Sequence, residues 1–168
     1  NRVINEIADP VNDVVKLVFT DTRIEDADLY RFMAETVAAW FCFPFVEFIR
    51  LADGRTPFQI FRDTRYLGNS RADPCSRILK RELSHKWIRE HYNPEDTVVY
   101  IGYDWSEGHR LPSTAAAYDP FEVRAPMMEP PWADKASINA DLAKWGIKPP
   151  GLYAKGYAHN KCGGACIK

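Results

Sequence analysis

The residues of this chain best suited to hold a metal or attack an electrophile are its cysteines, and two of the four lie in the final stretch His159-Asn160-Lys161-Cys162-Gly163-Gly164-Ala165-Cys166-Ile167-Lys168. Cys162 and Cys166 form a Cys-x3-Cys pair around Gly163-Gly164, with His159 three positions upstream. Glycine reaches the positive-φ conformations that a tight reversal needs, so the two thiolates can converge on one metal ion or close one disulfide. Cys75 is placed differently. Asp73-Pro74 ahead of it is a helix-start signal, and the unpaired amides and positive dipole end of a first helical turn favour the thiolate. Cys42, between Trp40-Phe41 and Phe43, reads as a buried small hydrophobe.

Charged groups accompany these thiols. Arg77, Lys80 and Arg81 crowd the start of the Cys75 helix. Taken alone, such a run is a solvated helix face; the sharper reading is an anion site built from a helix N-terminus and cationic side chains. Asp21 and Thr22 directly follow one apolar segment, and Glu107, His109 and Arg110 follow another. In open parallel sheets, ligands bind beyond the carboxyl ends of the strands. The two groups are therefore expected to share that edge, with His109 and Arg110 meeting phosphate or sulfate.

The elements that must position these residues are read from periodicity. Residues 1–8 place Val3, Ile4 and Ile7 at helical spacing before Asp9-Pro10 stops them, and residues 14–20 are the β-branched, apolar run of an inner strand covered on both faces. Thr22 and Glu25 have the Ser/Thr-x-x-Glu spacing of a capping box. A helix is expected from there to about residue 41, burying Leu29, Phe32, Met33, Thr36, Val37 and Trp40. A strand over 46–51, a short helix over 57–65, a long helix over 74–91 with Ile78, Leu79, Leu83 and Trp87 on its core face, and a strand over 97–102 follow. This alternation predicts an α/β fold with a mainly parallel sheet.

From Leu111 the texture changes. Five of the twelve prolines fall between Pro112 and Pro131, which predicts an extended wrap with one edge strand at 121–124. A helix capped by Asp134 then runs to Trp145 and ends at Gly146, and Pro149-Pro150 opens a last helical turn or two.

The chain's 168 residues, 46% hydrophobic and 27% charged, describe one soluble domain, with an α/β core over 1–110 and a C-terminal extension over 111–168. A net charge of -1 gives no field for nucleic acid or a membrane surface, and no apolar run reaches transmembrane length. Four cysteines are too few for a disulfide scaffold in a chain this long, and their company with His159 fits a reducing, cytoplasmic compartment.

Thr20-Asp21-Thr22, Cys75-Ser-Arg-Ile-Leu-Lys80, the run from Ile101 through Gly-Tyr-Asp-Trp-Ser to Glu107-Gly-His109-Arg110, and the His159-x-x-Cys162-x-x-x-Cys166 tail occur here in that order. With them the chain resembles the phosphoadenosine phosphosulfate (PAPS) reductase-like branch of the adenine nucleotide alpha hydrolase superfamily, in the version common in bacteriophages and bacterial mobile elements. The resemblance spans nearly the whole chain. It implies a Rossmann-like, three-layer fold and an enzyme that uses an adenine nucleotide, PAPS or ATP with Mg, for sulfonucleotide reduction or sulfur transfer.

By that resemblance Asp21 and Thr22 flank the adenosine end, while Arg77, Lys80, Glu107, His109 and Arg110 belong to the nucleotide site. Cys75, Cys162 and Cys166 converge, either as three ligands of an iron-sulfur cluster with an open iron or, with His159, as a Cys3His zinc site. Cys75 or Cys166 is the nucleophile, and His109 belongs with them to the catalytic set. A sulfur- or electron-donor protein is the partner implied, and a homo-oligomer is left open. One departure stands out: the Ser-Gly-Gly-x-Asp-Ser type phosphate loop that the family carries after its first strand does not occur in this sequence. The expectation is that the sequence is the central part of a longer polypeptide, since loss of that strand leaves two sheet halves unjoined. A complete chain lacking the loop points instead to a non-catalytic nucleotide-binding domain with structural zinc.

Overall fold

The computed structural model of the protein describes residues 2–40, 42–68, 72–132, 135–157, 160 and 162–165. Strand β1 (Val15–Thr20) pairs in parallel with β2 (Val46–Leu51), Val15 opposite Val46 and Thr20 opposite Leu51. Helix α1 (Ala27–Trp40) makes the crossover. A second parallel pair joins β3 (Val98–Tyr100) to β4 (Glu122–Arg124) through a 3-10 helix, Trp105–Arg110, and α5 (Leu111–Tyr118). Parallel neighbours need a crossover of a dozen or more residues, and both pairs have a helical one. The chain is thus mixed α/β with parallel strands, which among the described residues form two separate two-stranded sheets.

This separation corrects the reading of residues 14–20 as an inner strand. Among the described residues β1 is bonded to β2 alone, and Val14 and Val18 are 58% and 43% exposed. A two-stranded pair has no inner position, so an apolar run cannot be covered on both edges and both faces. Burial concentrates beside the sheets, at Ile4, Ile60, Leu79, Phe121, Ile147 and Leu152.

The helical elements largely follow their local signals. Val3–Ile7 is a π-helical turn. Helix α2 (Pro57–Thr64) opens on Thr56 and closes on Arg65, whose φ of 53° is left-handed. Helix α3 (Pro74–Ser76) passes through a π-helical run, Arg77–Glu82, into α4 (Leu83–His91), and the junction residues stay right-handed helical, so the expected long helix is present with a widened middle. Leu79 is fully buried on it, and α4 packs across β1. Helix α6 (Lys135–Lys144) ends at Gly146, which takes the left-handed φ of 71° that glycine permits; its expected cap, Asp134, lies outside the described residues. Helix α7 (Gly151–Ala154) docks on α1, the Gly151 amide donating to the Asp28 carboxylate at 2.6 Å.

Three expectations fail for identifiable reasons. Helix α1 starts at Ala27, not at the Thr22–Glu25 tetrad, because Asp26 caps it by accepting from the Asp28 amide at 2.9 Å. Residues 111–118 form α5 instead of an extended wrap: Pro112 lies in the first turn, where proline is tolerated, and Ala115 to Ala117 are strong helix formers. Cys42 is exposed, because the turn after α1 carries its thiol outward to donate to the Ala39 carbonyl at 3.4 Å.

Candidate functional site

The buried polar side chains of the described residues, Asp21, Thr22 and Glu25, all sit in the loop that leaves β1 and enters α1. Burying such groups is tolerable only when each is hydrogen-bonded, so their partners define the site.

Asp21 is enclosed by donors. The Arg23 amide (2.7 Å), the Tyr30 hydroxyl (2.8 Å) and Arg50 Nε (2.8 Å) reach its two oxygens, and the second Arg50 nitrogen completes a bidentate pair. Burial pushes the Asp21 carboxyl up, but these donors outweigh it and hold the group below its usual value. Burial and the bond to Asp21 push the Tyr30 phenol up to about 12. Arg23 takes a left-handed φ of 65° to close this turn, with its guanidinium donating to the Gly54 carbonyl at 2.9 Å.

Glu25 reaches furthest. Its Oε1 accepts from Thr22 Oγ1 at 2.9 Å and from Lys80 Nζ at 3.1 Å, and its Oε2 accepts from the Cys162 amide at 2.6 Å. Its side chain is 1% exposed while that of Lys80 is 31% exposed, so the ammonium faces solvent on one side and the carboxylate on the other. Beside the last bond, a Cβ built on Gly163 would stand 3.0 Å from the Ile24 carbonyl oxygen, so only glycine lets the tail turn approach this closely. Cys162, Gly163 and Gly164 take successive left-handed φ values of 49°, 58° and 82°. The tail is therefore seated on the β1–α1 loop and tied, through one carboxylate, to the helix that carries Cys75.

Of the residues expected at the site, Thr22, Lys80 and Cys162 meet around Glu25, and Asp21 adjoins them. Cys75 is half-buried on the Lys80 helix and Cys162 is half-buried on the tail turn. Arg77 is exposed and pairs with Glu82 at 3.4 Å. His159 and Cys166 lie outside the described residues, and among the described residues no group of three or more His, Cys, Asp and Glu side chains converges as a metal site.

Glu107, His109 and Arg110 follow β3, in the other sheet, so they do not share a single hydrogen-bonded sheet edge with Asp21 and Thr22. His109 is exposed. Arg110 pairs with Glu107 and stands over the Tyr103 ring, 4.4 Å from its centroid.

Several participants escape sequence reasoning. Glu25 has the spacing of a capping residue, and nothing local marks it as a tertiary anchor. Arg50 is the penultimate residue of β2, at the register position opposite Phe19, and lines a shallow cleft with Leu83, Lys86 and Trp87. Trp105 and Trp132, 62% and 59% exposed, line an open cleft, Trp105 opening the 3-10 helix that also carries His109. Arg2 ties the N-terminal turn to the segment before Trp132, donating to the Pro126 and Glu129 carbonyls at 2.5 and 2.9 Å. On the tail, both the nitrogen and the oxygen of the Asn160 carboxamide are buried without a hydrogen-bond partner, the state in which a bound polar group or water is usually found.

No family model matches the chain, and no curated protein matches it at a significant level. No helix among the described residues is long and apolar enough to cross a membrane.

Proposed function

We propose that the protein is a PAPS reductase-like enzyme that uses an adenine nucleotide, PAPS or ATP, for sulfonucleotide reduction or sulfur transfer at a cysteine centre. The observation that carries this reading is the Glu25 junction. Three segments picked out for their chemistry, the Asp21-Thr22 loop, the Cys75 helix and the Cys162 tail, meet at one buried carboxylate. The unpartnered Asn160 carboxamide, two positions before Cys162 on the same tail, supports a polar ligand for that tail. With this reading goes a Rossmann-like three-layer arrangement in which the two parallel pairs are halves of one sheet, and a cytoplasmic setting with a sulfur- or electron-donor protein.

Each residue then has a task. Lys80, Arg77 and Arg110 supply positive charge, and His109 a hydrogen bond, to phosphate or sulfate oxygens, which preorganised donors stabilise. Asp21 is saturated by its own donors and shapes the loop instead of offering a lone pair to the nucleotide. Cys75 or Cys166 is the attacking thiolate. Cys75, Cys162 and Cys166 are soft donors of the kind that hold an iron-sulfur cluster, which when bound supplies an open iron for sulfur.

The test is turnover of PAPS or ATP by the full-length protein under reducing, anaerobic conditions. Nucleotide product lost on Cys75→Ser supports the reading, and no turnover of either nucleotide sinks it. A second reading draws on the saturation of Asp21 and the pairing of Arg110 with Glu107: a nucleotide-binding, non-catalytic domain with a Cys3His zinc site of Cys75, His159, Cys162 and Cys166. Stoichiometric zinc without sulfide, and nucleotide binding without turnover, select it.

A further inference from the structure

We infer that Glu25 is the positioning residue for the Cys162 thiol, its buried carboxylate acting as the latch that seats the tail turn beside the Cys75 helix. The inference deepens the reading above, on which the thiols' chemistry rests, but the latch itself stands on geometry alone.

The two oxygens of Glu25 have different masters. Oε1 is committed to the core, to Thr22 and Lys80, and this fixes the direction in which Oε2 points. Oε2 is left for the tail, where it meets the Cys162 amide in a 2.6 Å charge-assisted bond spanning 137 positions of sequence. Cys162 is held at a φ of 49°, a conformation unfavourable for a residue with a side chain, and such a conformation persists only where its surroundings over-determine it. Here the amide is fixed by Glu25 and the following Gly163 is pressed against the Ile24 carbonyl. The thiol's position thus follows from a carboxylate in the β1–α1 loop.

Glutamine discriminates between a latch and mere filling of space. Glutamate offers an acceptor on both sides, to Lys80 and to the Cys162 amide; glutamine offers one acceptor and one donor. In Glu25→Gln the single oxygen is drawn to the side that carries the Lys80 ammonium and the Thr22 hydroxyl, so the NH2 group faces the Cys162 amide, donor against donor, and the shape is kept while the Cys162 bond is lost.

The experiment is peptide-resolved alkylation of the whole protein by iodoacetamide without nucleotide, in wild type, Glu25→Gln and Gly163→Ala, with exposed Cys42 as internal reference. Gly163→Ala opens the same seat from the tail side and leaves the carboxylate untouched. The expected result is a Cys162 rate changed by about tenfold relative to Cys42 in both variants, as for a local opening confined to the tail, with far-UV circular dichroism unchanged. Global loosening would instead raise Cys75 and Cys162 together. If Glu25→Gln does not fold, Gly163→Ala decides alone. A Cys162 rate within twofold of wild type in a folded variant overturns the inference, as does a parallel rise at Cys75. Because no nucleotide is present, failed turnover with a shifted Cys162 rate strikes the proposed function and leaves the latch standing.

Discussion

Two tetrads in this chain have the same spacing and opposite fates. Thr56-x-x-Gln59 forms a reciprocal cap: the Gln59 amide donates to Thr56 Oγ1 at 3.3 Å, the Thr56 amide donates to Gln59 Oε1 at 2.7 Å, and α2 begins there. Thr22-x-x-Glu25 begins no helix. Its two side chains bond to each other, and the carboxylate turns inward to Lys80 and the Cys162 amide. The difference is burial. Gln59 lies on the surface, where the nearest unsatisfied groups are those of its own helix start, whereas Glu25 is enclosed beside a cation that only a carboxylate can balance. A local motif is used locally only when nothing stronger competes for its acceptors.

The sharpest way to break that contrast is Lys80→Met, which strands the Glu25 carboxylate without its cation. A loss of about 3 kcal/mol in urea unfolding is expected, since half of a buried ion pair is costly. A loss comparable with that of a surface substitution would mean that Glu25 is no more buried in its energetics than Gln59. Thr22→Val comes next. It removes one donor to a buried carboxylate and should cost about 2 kcal/mol in the same measurement. Its counterpart Thr56→Ala removes an ordinary cap and should cost about 1 kcal/mol, with faster amide exchange confined to the first turn of α2.

Gln59→Glu gives the two tetrads the same chemistry and sharpens the comparison. At a helix N-terminus the added charge should stabilise by about 0.5 kcal/mol at low ionic strength and fade with salt. The smallest effect is at acid pH. Asp28 belongs to neither tetrad and is held at the surface by Arg31 and the Gly151 amide, which lower its carboxyl to about 2 from 3.8. A depressed folded value means that its stabilisation is present in full above about pH 4 and is lost as pH falls toward 2. The melting temperatures of wild type and Asp28→Asn should therefore converge across that window.

Much of the fold was legible because its signals are short-ranged. Pro57 and Pro74 open helices, Gly146 closes one, and the β-branched runs at 15–20 and 46–51 form strands at their expected places. Residues 111–118 depart from the extension that their proline content predicts, because Pro112 falls where a helix admits it. At the site, residue types were legible and partnerships were not. Lys80 and Cys162 could be singled out for charge and thiol chemistry, but Arg50 and Tyr30, which enclose Asp21, carry no local mark.

From the sequence alone come the α/β alternation, the parallel pairing that alternation implies, and the set of residues with chemistry to offer. Each depends on neighbours within a few positions, where periodicity, capping and turn preferences act. The division of the strands into two separate pairs, the saturation of Asp21 and the conversion of Glu25 from cap to latch were decided by the tertiary structure. The physical reason is that a carboxylate accepts from whichever donors surround it once water is removed. For Glu25 those donors stand 3, 55 and 137 positions away in the chain, and the last two lie at distances no local pattern can encode.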